Sequence, residues 1–279
     1  MSNRLQPAHK NLTVNGLNIH YLEWGAADAP PVVCVHGYTG SADAFNALAR
    51  HLQHRLRIVA PDVRGHGESA WSRDGAYGYL DQASDIAALV DRLELETFVL
   101  IGTSMGGIIA MAYAGAHPRQ LRALVINDVG PEVEQGSQRI TSMVGARPAS
   151  FATLDEAIAY RASASPILAA RPAEDQHELA LGVLKRAADG RWVWKMDPAY
   201  IEQRIARGAP ARPDLWPALA ALPCPTQVIW GTTSDVLGEA QARRMVATLP
   251  RGELVEVPGI GHAPTLVEPP ALAALDRLL

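Results

Sequence analysis

The 279-residue sequence has few of the features that mark disulfide-stabilised or metal-binding proteins. It contains only two cysteines, Cys34 and Cys224, and neither has the spacing of a metal site or a redox motif. We therefore expect both thiols to be reduced and to have a structural role.

Long apolar runs and an excess of basic residues are also missing. No stretch approaches the ~18 apolar residues of a membrane span, and residues 1–10 lack the apolar region of a signal peptide. The formal net charge of −4 gives none of the basic excess that binding to a phosphate backbone requires. The sequence thus predicts a cytoplasmic protein without a membrane or nucleic-acid partner, and it leaves open whether the protein is a monomer or a homodimer.

A glycine-rich phosphate loop after the first predicted parallel strand is absent as well, so no nucleotide cofactor is indicated. We expect neither a cofactor nor a metal ion. What the sequence does contain is 48% hydrophobic residues, enough for one large α/β domain with a sizeable core and an insertion.

The order of apolar and amphipathic segments predicts a mostly parallel sheet. Asn15 and Gly16 between two extended runs are typical of a β-hairpin, so the chain opens antiparallel. Short runs rich in Val and Ile then alternate with amphipathic stretches, as in a parallel sheet covered on both faces. The predicted strands are 31–35, 56–60, 97–101, 121–127, 226–230 and 253–257, and the predicted helices between and after them are 42–52, 81–93, 106–116, 239–249 and 269–279.

Residues 131–222 do not follow this alternation. They contain no apolar strand runs, prolines are frequent, and 154–164 and 174–188 predict helices. We therefore predict a core formed by 1–130 and 223–279, with 131–222 inserted as a helical cap over the sheet.

The sequence Gly-Thr-Ser-Met-Gly at 102–106 matches the G-x-S-x-G nucleophile elbow, and it lies between a predicted strand and a predicted helix, as that motif requires. Glycines are needed on both sides because the chain turns sharply around a strained serine. The turn exposes the hydroxyl of Ser104 at a helix N-terminus, where backbone N–H groups favour developing negative charge. The alternative is an N-cap serine after an ordinary buried strand.

Two further loops follow strands at the same edge of the predicted sheet. In the sequence His-Gly-Tyr at 36–38, the backbone N–H of Tyr38 would complete an oxyanion hole with that of Met105. His262 lies in a glycine-rich loop after the last strand. Taken alone, the 36–38 loop is also explained as a common turn, and His262 as a solvated loop histidine.

Together with Asp-Val-Arg-Gly-His-Gly-Glu-Ser at 62–69, these motifs follow the order typical of the α/β-hydrolase family, which the chain resembles from about residue 11 to residue 279. The resemblance implies an eight-stranded, mostly parallel sheet with helices on both faces and a helical lid. It also implies a catalytic triad of Ser104, an acid and His262, acting on a small-molecule acyl substrate. In this family the 62–69 segment is a structural loop.

The triad acid remains open between two aspartates. Asp128 follows the strand 121–127, where some branches of the family carry the acid, and its Asp-x-Gly-Pro loop resembles theirs. Asp235 follows the next strand, the usual acid position, but it comes one residue late, so that the usual register falls on Ser234. We favour Asp128 and keep Asp235 as the alternative; the other aspartate would cap its loop.

Residue types narrow the activity that the resemblance implies. Ser104 stands where haloalkane dehalogenases and epoxide hydrolases have aspartate, and Thr103 and Ala263 depart from the pattern of the carbon–carbon bond hydrolases of aromatic-ring degradation. We expect a carboxylesterase-like serine hydrolase that cleaves an ester or related acyl bond through an acyl-enzyme. An amide or other carbon–nitrogen hydrolase, a cofactor-free lyase or perhydrolase, and a slow-turnover ligand receptor stay open.

The predicted cap also contains residues that could contact substrate: Arg147, Arg161, Arg171, Trp192 and Trp194. An arginine suits a carboxylate through its two-pronged guanidinium. The ordinary interpretation is that the arginines are solvated and the tryptophans belong to a half-packed segment, and the sequence alone favours it.

Overall fold

A computed structural model describes residues 5–132, 134 and 136–279 of the chain. These residues form eleven strands. They are β1 (Ala8–Val14), β2 (Leu17–Trp24), β3 (Pro31–Val35), β4 (Arg57–Pro61), β5 (Phe98–Thr103), β6 (Leu121–Asn127), β7 (Ser150–Phe151), β8 (Leu184–Arg186), β9 (Trp192–Trp194), β10 (Thr226–Gly231) and β11 (Gly252–Val257).

Eight of these strands form one sheet in the order β1-β2-β4-β3-β5-β6-β10-β11. β2 is antiparallel to both β1 and β4, and the remaining neighbours are parallel. The hairpin forms where the sequence predicts it, because Asn15 and Gly16 take positive φ angles of 49° and 77°. The predicted eight-stranded, mostly parallel sheet is confirmed.

Helices pack on both faces of this sheet. The helices of the described residues are α1 (Asn46–Leu52), α2 (Tyr79–Arg92), α3 (Met105–Ala116), α4 (Gly136–Gly145), α5 (Leu154–Ala164), α6 (Pro166–Ala169), α7 (Ala173–Val183), α8 (Pro198–Arg207), α9 (Trp216–Ala220), α10 (Glu239–Thr248) and α11 (Pro269–Leu278), with short 3-10 helices at Ala42–Phe45 and Pro118–Gln120. Of these, α2, α3 and α10 pack on one face of the sheet and α1 and α11 on the other.

Alternate side chains of the central strands supply two separate cores. On β3, Val33 and Val35 pack into the core shared with α2, α3 and α10, whereas Val32 and Cys34 pack into the core shared with α1 and α11. A strand covered on both faces must be apolar at every position, which explains the uninterrupted Val-rich run. Cys34 and Cys224 are both free and buried, as predicted.

The segment between β6 and β10 contains helices, as expected, together with three short strands that were not predicted from the sequence. β7, β9 and β8 form a small antiparallel sheet, and α7 ends at Val183 instead of continuing to 188. The reason is a tight turn at Asp189 and Gly190, where Gly190 has a φ of 85° and β8 folds back on β9. Strands of two or three residues are too short to give an apolar run.

Side-chain contacts tie this insertion to the sheet-bearing part of the chain. Arg50 Nη2 lies 2.6 Å from Glu178 Oε2, and the hydroxyl of Tyr77 donates a hydrogen bond to Asp197. The division into a core of 1–130 and 223–279 and a cap of 131–222 stays a prediction, of which residues 1–4, 133 and 135 lie outside the described residues. Within the described part of the chain, no helix is long and apolar enough to cross a membrane.

Candidate active site

Ser104 occupies the sharp turn between β5 and α3. Its backbone angles, φ 55° and ψ −119°, lie in a sparsely populated region that costs about 1–3 kcal/mol. A Cβ atom on Gly102 would lie 2.3 Å from the carbonyl oxygen of Gly106, and one on Gly106 would lie 2.0 Å from that of Val35. The two motif glycines are therefore required by close backbone approach, and the turn they permit leaves the Ser104 side chain partly exposed.

His262 follows β11 and reaches back to the turn. Its Nε2 atom lies 2.7 Å from the Oγ atom of Ser104, and its side chain is 9% exposed. Its Nδ1 atom lies 2.8 Å from the Oδ2 atom of Asp128. With Nδ1–H donating to the carboxylate, Nε2 is the acceptor for the serine hydroxyl.

Asp128 is the carboxylate that the structure brings to His262. It is fully buried, directly after β6, with a φ of 58°. Besides His262, the carboxylate accepts the backbone N–H of Gly231 at 3.0 Å and the hydroxyl of Ser234 at 2.7 Å. A buried carboxylate needs such donors, because an unpaired one would be costly.

Asp235, the alternative acid, is not brought to His262. Its side chain is 42% exposed and pairs with Arg139, whose Nη2 atom lies 2.8 Å from Oδ1. The guanidinium of Arg139 holds the pKa of Asp235 below its usual value. The position that matches the usual acid register, Ser234, instead donates to Asp128.

The proposed oxyanion donors, the backbone N–H groups of Tyr38 and Met105, lie on two chain segments that meet at the turn. Met105 is the first residue of α3, so its N–H has no partner within the helix. A Cβ atom on Gly37, which precedes Tyr38, would lie 3.3 Å from the Cβ of Ser104. The loop after β3 therefore lies directly against Ser104.

Two buried histidines fix that loop. The Nε2 atom of His66 lies 2.7 Å from the carbonyl oxygen of Tyr38, and the backbone N–H of Val63 donates to Nε2 of His36 at 3.1 Å. Burial lowers the pKa of His36, and burial together with the nearby His36 lowers the pKa of His66 to about 3. Both rings are neutral at pH 7, and their hydrogen bonds indicate a structural role.

The other residues of the 62–69 segment also make structural contacts. Asp62 accepts the backbone N–H groups of Ala42 and Glu68 at 2.7 and 2.9 Å. Arg64 forms a two-pronged ion pair with Asp85, with both N–O distances at 2.6 Å.

Two contributors to this site were not assigned a role from the sequence. Ser234 hydrogen bonds to Asp128, and its place in the usual acid register was the available signal. Asn127 donates from Nδ2 to the hydroxyl of Thr103 at 3.1 Å and to the carbonyl of Pro264 at 2.9 Å, so it ties the nucleophile turn to the histidine loop. No local motif marks Asn127, since its partners are distant in sequence.

A cavity of about 260 Å³ opens beside the site, between the sheet edge and the insertion. Thr103 and His262 line it from the sheet side, and Arg147, Arg161 and Arg171 line it from the insertion. Most of the remaining lining is apolar, as in pockets for small organic ligands. Among the described residues, no group of three or more His, Cys, Asp or Glu side chains is placed to hold a metal ion.

The fold and the nucleophile turn define a class of protein. The family model for the α/β hydrolase fold matches residues 30–269, and the chain belongs to this family. It is an enzyme of the hydrolase class, and the predicted family is confirmed.

Individual relatives agree with this assignment. The chain is 37% identical over 267 residues to a 3-hydroxybutyrate-oligomer hydrolase of Cupriavidus necator, covering 91% of this chain and 89% of that protein. It is 28% identical over 264 residues to an esterase of Mycobacterium tuberculosis, covering 93% and 85%. The crystal structure of an α/β hydrolase from Novosphingobium aromaticivorans matches it with a TM-score of 0.85 at 35% identity, covering 98% of each chain.

Proposed function

We propose that this hydrolase cleaves carboxylic esters through an acyl-enzyme on Ser104, with His262 as the general base and Asp128 as the triad acid. The observation that carries the proposal is the series of two hydrogen bonds that joins them, 2.7 Å from serine to histidine and 2.8 Å from histidine to aspartate. A serine hydroxyl is a weak nucleophile on its own, and a base within hydrogen-bond reach activates it.

In the first step, the Oγ atom of Ser104 attacks the carbonyl carbon of the ester while its proton moves to Nε2 of His262. The carbonyl oxygen becomes an oxyanion, which the backbone N–H groups of Tyr38 and Met105 would hold. The carboxylate of Asp128 stabilises the imidazolium and keeps the Nδ1–H tautomer in place. The imidazolium then protonates the leaving alcohol, and the carbon–oxygen ester bond breaks.

In the second step, water attacks the acyl-enzyme. His262 takes a proton from that water, and the tetrahedral intermediate collapses to release the carboxylic acid and return the proton to Ser104. The contacts of His66 with the carbonyl of Tyr38 support this scheme, because the oxyanion donor must be held in place before charge develops.

The substrates to test first follow from the relatives. Hydrolysis of a 3-hydroxybutyrate oligomer breaks ester bonds, and the second relative is named as an esterase. Dimers and trimers of 3-hydroxybutyrate, alongside p-nitrophenyl esters of acetate to octanoate, would test this activity over a range of acyl lengths.

Covalent labelling tests the nucleophile. A fluorophosphonate probe should modify Ser104 and no other serine, because Ser104 has both a partly exposed hydroxyl and an adjacent base. Peptide mass mapping reads the site, and the variant Ser165→Ala, which changes another serine that lines the cavity, should label as the parent does. An adduct elsewhere, or none in active enzyme, contradicts the proposal.

Loss of activity tests the joint role of serine and histidine. Ser104→Ala and His262→Ala should each lower kcat on the order of several powers of ten while the protein still folds, and the double variant should be no worse than either alone. If the loss of kcat in the double variant equalled the product of the two single losses, the two residues would act separately. Comparing p-nitrophenyl butyrate with the matching p-nitroanilide separates an esterase from an amide hydrolase, and slow release of the acyl group would indicate a receptor.

A further inference from the structure

Three arginines from different parts of the insertion converge on the cavity beside His262. Arg147 follows α4, Arg161 lies on α5, and Arg171 lies between α6 and α7. Each is only partly exposed. Three cationic side chains thus face one small, mainly apolar space.

The positive charge of Arg161 lacks a counter-charge among the described residues. Its Nη1 atom is buried and has no hydrogen-bond partner. Three other guanidiniums, with side chains 8 to 18% exposed, each contact a carboxylate at 2.6 to 3.2 Å: those of Arg50, Arg57 and Arg64. Arg204, which is 6% exposed, instead contacts the hydroxyl of Thr141 and the ring of Tyr38. A buried charge is costly when it is unpaired, so an anion beside Arg161 would stabilise it.

Burial is the cause that lowers the pKa of Arg161 to about 10, and burial likewise lowers the pKa of Arg147 to about 10. Both guanidiniums nevertheless stay protonated at pH 7. Arg147 is also held in place, because its Cζ atom lies 4.3 Å from the ring centroid of Trp194. Arg147 and Arg161 therefore bring positive charge to the cavity, whereas the charge of Arg171 is partly balanced by Asp175 and Glu268.

The apolar lining beside these charges sets the kind of anion that would fit. Ile167, Leu168 and Leu179 line the same cavity, so a ligand there contacts aliphatic side chains along its length and a guanidinium at its charged end. A planar guanidinium matches the geometry of a carboxylate with two parallel hydrogen bonds. A short aliphatic chain that ends in a carboxylate satisfies both.

We propose that Arg161, assisted by Arg147 and Arg171, binds a free carboxylate of the substrate, so that the enzyme selects esters whose far end is anionic. This rests on the function proposed above, since His262 lines the same cavity. Arg161 is then a specificity-determining residue that the ester chemistry itself does not require.

Matched substrates test the selection. The monomethyl and dimethyl esters of the linear dicarboxylic acids from succinate to suberate differ in one charge at nearly constant shape. At the best chain length, kcat/KM for the monoester should exceed that for the diester by at least about tenfold, and Arg161→Met should lower kcat/KM for the monoester by at least about thirtyfold, mainly through KM.

Two further variants keep the test informative. Arg161→Lys retains the charge but not the two-pronged geometry, so it should keep part of the preference for the monoester. Arg186→Met removes an exposed arginine of the same insertion, on β8, and should leave the preference as in the parent. If Arg161→Met is poorly folded, Arg161→Lys together with inhibition of p-nitrophenyl butyrate hydrolysis by glutarate or adipate replaces it.

The outcomes separate the two proposals. Equal hydrolysis of monoester and diester by an enzyme that labels at Ser104 overturns the carboxylate site and leaves the ester hydrolase standing. Cleavage of p-nitrophenyl butyrate without cleavage of either the monomethyl or the dimethyl esters also overturns the carboxylate site and leaves the ester hydrolase standing. If no ester is cleaved and the fluorophosphonate probe leaves Ser104 unmodified, the proposed function fails and the carboxylate site with it.

Discussion

The loops after β6 and β10 lie side by side at the carboxyl edge of the sheet, and each contains an aspartate, yet only one aspartate contacts His262. Asp128 is fully buried and accepts three hydrogen bonds, whereas Asp235 pairs with Arg139 at the surface. In the second loop it is Ser234 that points inward. A one-residue offset thus decides which side chain reaches the histidine, and the neighbouring strand supplies the carboxylate instead.

Among changes to these two loops, the largest effect should come from removing the charge of Asp128. Asp128→Asn keeps the shape but favours the wrong tautomer of His262, so kcat should fall by at least about a hundredfold, toward the 10⁴ known for serine proteases. Steady-state kinetics on a p-nitrophenyl ester measures it, and a thermal melt should show little change in Tm. A larger loss in Asp235→Asn than in Asp128→Asn would reverse the comparison.

A second test moves the acid from one loop to the other. Ser234 Oγ lies 2.7 Å from the Oδ2 atom of Asp128, so a carboxylate at position 234 would lie close to the place that Asp128 now occupies. The double variant Asp128→Asn and Ser234→Asp should recover at least about tenfold in kcat over Asp128→Asn alone. No recovery, in a protein with the parent's circular dichroism spectrum, would mean that the two positions are not equivalent.

Removing the Ser234 hydroxyl should have a smaller effect. A hydrogen bond to a charged group contributes about 1.5–3 kcal/mol, and part of that loss should appear as a kcat lowered by about tenfold in Ser234→Ala. Because Ser234 acts through Asp128, KM should change little, and Ser234→Thr should restore most of the rate. An unchanged kcat, or a change in KM alone, would show that Ser234 does not position Asp128.

The smallest effect is expected for the exposed aspartate. Asp235→Asn breaks only the ion pair with Arg139, and exposed pairs contribute about 0–1 kcal/mol. Its kcat should therefore change by less than about tenfold, and urea denaturation should show a free energy of unfolding within about 1 kcal/mol of the parent. Arg139→Gln breaks the same pair from the other side and should match it. A loss of a hundredfold in Asp235→Asn alone would assign the acid to this loop.

Most of the sheet could be predicted from the sequence, because its strands are short apolar runs between turn signals. The hairpin at Asn15 and Gly16 and the strand Leu121–Asn127 appear as expected. The strands of the insertion were missed for a physical reason: β8 and β9 have three residues each, too few to show the apolar run of a buried strand.

Features that depend on neighbouring residues could be predicted from the sequence alone. The turn at Ser104 follows from the flanking glycines, since any side chain at Gly102 or Gly106 would collide with the backbone. The place of His262 after the last strand follows in the same way from chain order.

Contacts between residues far apart in the chain depend on the three-dimensional fold and could not be predicted in this way. Asp128 and His262 are 134 positions apart, and their approach depends on how β6, β10 and β11 align side by side. Whether the Nη1 atom of Arg161 is solvated or buried without a hydrogen-bond partner likewise depends on how the insertion packs against the sheet. Hydrogen bonds and charge compensation of this kind arise from three-dimensional proximity, which no local pattern of residues specifies.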